Sequence, residues 1–425
     1  MSSKLKQIAS TGHEVPAEAL IQVFEYAKVK SLFYQRLFKN EYLEAKDFSL
    51  RNFKKLPFTN KEDISESNLD FLAVSLDKVA DYSTTSGTSG DSITVFLSKD
   101  DLENLGRNEA DSFELAGATS KDVFQLMTTM DKQFMAGLAY YLGAQRLNAG
   151  MIRVGPGLPA YQWKSIILYK PTILIGVPSF IVTLLEYAEN QGIEFSKTSV
   201  RKIICIGEAI REDDFSLNVL GKRITDKWNV ELFSTYASTE MAVAFTECKI
   251  HNGNHLNSEL LFLEVINEFG EDAEDGSIGE IVITTLKREA MPLLRYRTGD
   301  LARVYRAPCK CGNTAPRIGR ILGRKNQMIK FKGTTIFPAA IFEIFDSLPN
   351  NWLYKVEISK DNLGNDKIII YLQEEMEQSS EFGIVLEKCK SNLKVVPYFV
   401  FENADVLYRM IFNKDLRKPE KIVFK

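Results

Sequence analysis

Between about residue 100 and residue 300, short apolar runs of strand character alternate with helical stretches, and few folds accept that alternation. Residues 172–177 read as a strand, 178–191 as a helix and 202–207 as the next strand. Repeated strand–helix–strand units build a largely parallel sheet with helices layered on it, an α/β domain. Ahead of this region, residues 17–47 carry apolar residues at helical spacing with little Gly or Pro. Leu56-Pro57-Phe58-Thr59-Asn60 is a turn leading into a helix capped by Thr59 or Asn60. Beyond residue 322 the elements become shorter and more charged. The chain is therefore expected to divide into a large N-terminal α/β domain, 1–322, with mixed and parallel sheets, and a small C-terminal α+β domain, 323–425.

Bulk properties narrow the function classes. A chain of 425 residues that is 45% hydrophobic has ample core material, and a net charge of −3 argues against a nucleic-acid or membrane-surface partner. No apolar run nears the ~18 residues needed to cross a bilayer, and the first residues lack the apolar core of a signal peptide, so a cytoplasmic location is the default expectation. Five cysteines, odd and sparse, fit a reducing compartment rather than a disulfide framework.

Chemistry concentrates in a few segments. From Ser83 to Gly90 every residue is serine, threonine or glycine. Such a loop turns backbone N–H groups and hydroxyls toward a polyanion, although a plain soluble hairpin loop has the same composition. It is not a Walker loop, since Asp91 stands where a lysine would be useful. Tyr236-Ala237-Ser238-Thr239-Glu240 follows a strand and offers a ring to stack a base and a carboxylate for Mg²⁺, or simply a helix cap. Tyr296-Arg297-Thr298-Gly299-Asp300 places a carboxylate at a turn, able to accept two ribose hydroxyls or to make the turn alone. A basic strand, Lys330-Phe331-Lys332-Gly333, and a polar tail, Arg417-Lys418-Pro419, complete the set.

In order and spacing these segments resemble the adenylate-forming superfamily of acyl-CoA synthetases, adenylation domains and luciferases. Residues 56–63, Pro316 to Arg324 and Gly333 through Phe337-Pro338 resemble its phenylacetate–CoA ligase branch more closely, and the likeness runs from about residue 56 to 421. The resemblance implies a two-step ligase. ATP adenylates a carboxylic acid, aryl or apolar acyl, and the acyl group passes to the thiol of CoA. The alternatives are transfer to a carrier-protein phosphopantetheine, or a catalytically silent nucleotide-binding homologue. By motif, Ser86, Gly87, Thr88, Ser89 and Gly90 would cradle the β- and γ-phosphates, Tyr236 and Ala237 would flank adenine, and Thr239 would touch the α-phosphate. Glu240 would hold Mg²⁺, Asp300 the ribose, and Lys418 would stabilise the adenylation transition state, with Lys414 and Lys421 as neighbours for that role. Arg324 would begin the hinge to a mobile small domain, and Gly333 would line the thiol channel. Phe134, Met135, Ala136, Gly137 and Tyr140, with Gly207-Glu208-Ala209, are the acyl-pocket candidates. Homodimers are common in the branch. The departures are Asp91, Ala237 for a glycine, Asn326 for a hinge aspartate, and Arg417-Lys418 for Gly-Lys.

A metal site is also expected. Cys248-x-x-His251 and Cys309-x-Cys311 supply three sulfurs and an imidazole at turn-like spacing, the donor set of structural Zn²⁺. His255 is the alternative imidazole, or a residue bordering the acyl pocket.

Overall fold

Strands form where apolar runs end in glycine, proline or a capped helix. The computed structural model describes residues 17–39, 49–85, 92–350, 352–360, 366–412 and 420–425. The chain divides into two units, one of residues 1–298 and 302–321, the other of 299–301 and 322–425.

In the first unit, β1 (Val79–Thr84) and β2 (Thr94–Ser98) pair antiparallel. The large sheet then takes β3 (Val123–Leu126), β4 (Gly150–Arg153), β5 (Ile173–Gly176), β6 (Lys202–Ile206), β7 (Glu231–Ala237), β8 (Ala244–Glu247) and β9 (Asn254–His255). It continues with β10 (Leu261–Ile266), β11 (Ile278–Thr285), β12 (Tyr296–Tyr305) and β13 (Arg317–Arg324). The spatial order is β10-β11-β12-β13-β9-β8-β7-β6-β5-β3-β4. β4, β3, β5, β6 and β7 are mutually parallel, and pairing turns antiparallel at β8. The parallel half is thus as the alternation predicts. Its inner strands are continuous apolar runs, as in β5, where all four residues are buried, because helices cover both faces of such a sheet. Strand order β4-β3-β5-β6-β7 reverses direction between β3 and β5, and ligands of doubly wound sheets bind outside the carboxyl ends near that reversal.

Local capping follows from sequence. Asn60 caps the helix Lys61–Ser67 in a reciprocal capping box with Asp63, and Ser98 does the same with Asp101 for Lys99–Leu115. The helix Pro178–Asn190 has no cap of its own. Glu208 supplies one from the loop after β6, accepting from Ser179 N and Oγ at 2.9 Å each.

The second unit holds a hairpin, β14 (Ile329–Phe331) and β15 (Thr334–Ile336), and a four-stranded sheet. That sheet is ordered β18 (Tyr398–Glu402), β17 (Asp366–Gln373), β16 (Tyr354–Lys360), β19 (Ile422–Phe424). Helices Pro338–Asp346, Ser380–Lys388 and Ala404–Ile411 accompany these strands. Among the described residues no helix is long and apolar enough to cross a membrane.

Candidate nucleotide and acyl site

The segments after β3, β6 and β7 carry most of the acyl- and base-site candidates, beyond the carboxyl ends of parallel strands. After β7 the chain turns at Ser238–Met241. Ser238 ties this turn from the front, its carbonyl accepting from Ala242 N at 3.1 Å and its hydroxyl from Met241 N at 3.3 Å. Ala242 leaves the turn in the left-handed region, φ 47°, a conformation costly for a residue with a Cβ. Thr239 and Glu240 are half-buried, Ala237 is exposed, and the Tyr236 ring packs 5.7 Å from Phe245.

A residue that motif reasoning misses holds this turn from behind. Arg288 is buried and donates from Nη2 to the Met241 carbonyl at 2.7 Å. Its Nε lies 3.9 Å from Asp101, which also accepts from Glu289 N and Ala290 N at 2.7 and 2.9 Å. Nothing in the sequence singles it out, since Arg288 stands in the charged run Lys287-Arg288-Glu289 and reads as a solvated face.

The phosphate-loop residues Ser86, Gly87, Thr88, Ser89, Gly90 and Asp91 lie outside the described residues, as do Lys414 and Lys418. The strand leading into the loop is held at Thr84, whose N–H donates to Gln133 O at 2.9 Å. Lys132 and Gln133 are both left-handed, φ 56° each, just ahead of the helix Met135–Arg146 that carries the acyl candidates. Gly137 is required there, since a Cβ would fall 1.9 Å from the Thr129 carbonyl oxygen. Met135 and Tyr140 are core residues, Tyr140 with its ring 6.1 Å from Phe113, whereas Phe134 and Ala136 remain partly accessible. Gly207 is exposed and left-handed, φ 78°, with open space where a side chain would project. Glu208 is held in place by its hydrogen bonds to Ser179 N and Oγ.

The segment Tyr296–Asp300, expected as a turn, is instead the first half of strand β12, whose start is braced by Leu56-Pro57-Phe58-Thr59. Thr59 N donates to Arg295 O at 3.1 Å, and Arg297 N to Thr59 O at 2.8 Å. Arg295, buried and left-handed at φ 46°, sends Nη1 to the carbonyls of Lys54 and Leu56. Its other nitrogens grip both oxygens of buried Glu264, and its guanidinium lies 4.0 Å over the Phe58 ring. In the second unit, Asp300 pairs with Arg324, Nε to Oδ1 at 3.3 Å, which brings together the expected ribose acceptor and the expected hinge residue.

The sulfur cluster forms, with one correction. Its members are Cys248, Cys309, Cys311 and His255, whose ligand atoms all lie within 4.8 Å of one another. His251 is not among them. Its ring is drawn away by two carboxylates, Nδ1 3.2 Å from Glu247 and Nε2 3.2 Å from Glu231. His255 arrives through pairing: β9 sets it opposite Thr246 of β8 and Arg317 of β13. Cys248 Sγ to Cys309 Sγ is 3.9 Å and Cys311 Sγ to His255 Nε2 is 3.6 Å. A zinc tetrahedron with Zn–S near 2.3 Å and Zn–N near 2.05 Å has edges of about 3.8 and 3.6 Å, so the donor set fits. All five cysteines are free thiols. Hydrogen bonding with Cys248 and His255 lowers the pKa of the Cys311 thiol, while the hydrogen bond with Cys311 and burial raise that of Cys248.

The parallel half of the sheet has a doubly wound strand order, with the segment Tyr236–Glu240 at the carboxyl end of β7. The chain matches the AMP-binding enzyme family over residues 10–286 and belongs to that family. It is 28% identical to a phenylacetate-coenzyme A ligase of Thermus thermophilus over 338 residues, 78% of this chain and 74% of the relative. It is also 28% identical to the Escherichia coli phenylacetate-coenzyme A ligase over 317 residues, 73% of this chain and 70% of that one. Its fold matches that of 2-hydroxyisobutyryl-CoA ligase bound to an acyl-AMP, with a TM-score of 0.81, 96% of this chain and 88% of the other covered, at 19% identity.

Proposed function

We propose that this protein is an ATP-dependent, AMP-forming acid–CoA ligase. Family membership together with the Thr239–Glu240 turn at the carboxyl end of β7 carries the reading. In the first step a carboxylate oxygen attacks the α-phosphorus of ATP. A C–O–P bond forms, the α–β phosphoanhydride breaks and pyrophosphate leaves. In the second, the CoA sulfur attacks the acyl carbon, AMP leaves and the thiol proton is released. Such chemistry asks a protein chiefly for alignment and charge neutralisation. Tyr236 packs beside adenine, Thr239 contacts the α-phosphate, Asp300 accepts the ribose hydroxyls, and the 86–90 loop with Lys418 serves the phosphates. Glu240 is the residue suited to hold Mg²⁺, which when bound neutralises phosphate charge. The partly accessible Phe134 and Ala136 favour an aryl or apolar acid.

Pyrophosphate exchange across a panel of carboxylic acids tests the reading and identifies the acid. Glu240→Gln is expected to lower exchange by about 10²-fold or more, the scale of removing a group aimed at transition-state charge. Full exchange in that variant, or no exchange with any acid in the intact protein, would sink the reading.

The four-atom cluster is proposed as a structural zinc site that staples the β8–β9 connection to the loop before β13. Metal analysis is expected to find about one zinc per chain. His255→Ala should lose that zinc and lower the melting temperature, whereas His251→Ala should keep it. The reverse pattern would return the ligand role to His251.

A further inference from the structure

A buried ion pair lies between the cysteine–histidine cluster and the acyl-pocket candidates Gly207, Glu208 and Ala209. Two residues past Ala209, the buried Arg211 divides its donors among three partners. Nε donates to Glu247 Oε1 at 2.6 Å, Nη1 to Phe215 O at 3.1 Å and Nη2 to Leu232 O at 3.1 Å. Around this guanidinium residues 209–218 close into a loop. Arg211 bridges to Leu217, Glu212 N donates to Ser216 O at 2.9 Å, and Asn218 Nδ2 donates to Ala209 O at 2.9 Å. With Glu208 tied to Ser179, the acyl candidates are held by a helix on one side and by the Arg211 loop on the other.

The far end of the pair belongs to the cluster. Glu247 is the last residue of β8 and directly precedes Cys248, and its register partner on β9 is Asn254, the neighbour of His255. Pairing between β7 and β8 ends one rung earlier, with Thr235 opposite Thr246, and Ser234 N donates to Glu247 Oε2 at 3.0 Å. Joining four donors in one tetrahedron fixes Cys248 and His255 against the 309–311 loop, and so fixes the carboxylate that Arg211 grips. Both turns beside the pair are held against their backbone preference. Phe215, whose carbonyl takes Nη1, is left-handed at φ 68°, and His251, 3.2 Å from Glu247 Oε2, is left-handed at φ 54°. Such conformations persist only where the surroundings over-determine them, so a loosened cluster gives this region a second, relaxed arrangement.

We propose that Arg211 is a positioning residue that couples the cluster to the acyl side of the active site, so that zinc and the carboxylic acid each tighten the other's binding. This rests on the acid–CoA ligase reading and on zinc as the ion of the cluster. Coupling of this kind is reciprocal: the factor by which zinc strengthens acid binding equals the factor by which the acid strengthens zinc binding. Arginine suits the role because its planar fork holds acceptors from β7, β8 and the 209–218 loop at once, which a lysine cannot do.

The test uses the full chain and the acid that gives the fastest pyrophosphate exchange. Calorimetric titration of that acid, with AMP present as a partner that cannot activate it, is expected to show at least about fivefold tighter binding to zinc-loaded than to metal-stripped protein. Zinc affinity, read against a chelator buffer, should rise by the same factor when the acid and AMP are bound. The chelator measurement starts from the loaded chain and does not depend on the stripped one staying folded. Arg211→Met should keep about one zinc per chain, bring the factor close to one, and raise the exchange KM for the acid with a smaller change in kcat. Arg211→Lys, which keeps one cationic donor for Glu247, should restore part of the factor. A factor near one in the intact protein overturns the proposal, as does an unaltered factor in Arg211→Met. Loss of zinc from Arg211→Met overturns it too, since the arginine then supports only the cluster. No exchange with any acid marks the failure of the ligase reading instead.

Discussion

Replacing Arg295 by methionine is expected to destabilise the first unit by about 3–5 kcal/mol, the cost of leaving a buried ion-pair partner alone. That is a large share of the roughly 5–15 kcal/mol by which native domains are stable. Four acceptors lose their donor at once: the two oxygens of Glu264 and the carbonyls of Lys54 and Leu56. Desolvation already raises the Glu264 carboxyl above its ordinary range with the guanidinium present. Without Arg295 that carboxyl must bind a proton in the folded state. A folded-state pKa raised above the unfolded value makes the fold relatively more stable at low pH and less so as pH rises through the raised value. The deficit of Arg295→Met should therefore shrink as pH falls toward 5 and widen toward 8. Urea midpoints at the two pH values read this directly. Adding Glu264→Gln should recover part of the loss, because the partner no longer needs a counter-charge. A deficit under about 1 kcal/mol, the ordinary scale of an exposed pair, would mean that the pair is solvated.

The same brace explains what could and could not be seen in the chain beforehand. Leu56-Pro57-Phe58-Thr59 reads locally as an X-Pro turn before a capped helix, and Asn60 does cap that helix. Nothing local says that Thr59 will bridge to Tyr296, more than two hundred residues away. β5, the helix after it and β6 were legible because burial on both faces writes itself as a continuous apolar run. The antiparallel half of the sheet was not, since its neighbours are set by register between distant strands. His255 is the clearest case. Cys248-x-x-His251 has the spacing of a chelating turn, yet the competing carboxylates Glu231 and Glu247 claim that imidazole. The fourth donor of the cluster, His255, comes instead from pairing among β8, β9 and β13. Glu208 shows a related effect: a carboxylate beside a glycine after a strand reads as a ligand contact, and nothing local says that it also caps the helix Pro178–Asn190.

Arg288→Met is expected to lower the rate of adenylation by about 10²-fold, the penalty for displacing catalytic groups by about 1 Å. The argument is geometric. Met241 follows Glu240 directly, and its carbonyl takes the Arg288 hydrogen bond at 2.7 Å while Ser238 restrains the other side of the turn. Ala242 is kept in a left-handed conformation that a Cβ disfavours, so the turn relaxes once one restraint is lost. Burial lowers the guanidinium's proton affinity, but an arginine remains charged, and Asp101 on the helix Lys99–Leu115 is its counter-ion. Methionine fills most of the volume, so the packing loss is held small while the donor is removed. The effect should appear in kcat and in the Mg²⁺ concentration needed for half-maximal rate, since Glu240, the proposed Mg²⁺ ligand, rides on the displaced turn, with a smaller change in the KM for the acid. Arg288→Lys, which keeps one cationic donor, should recover part of the rate. If Arg288→Met melts earlier yet turns over at the original rate and Mg²⁺ requirement, the arginine supports only the fold and the turn is positioned by Ser238 alone.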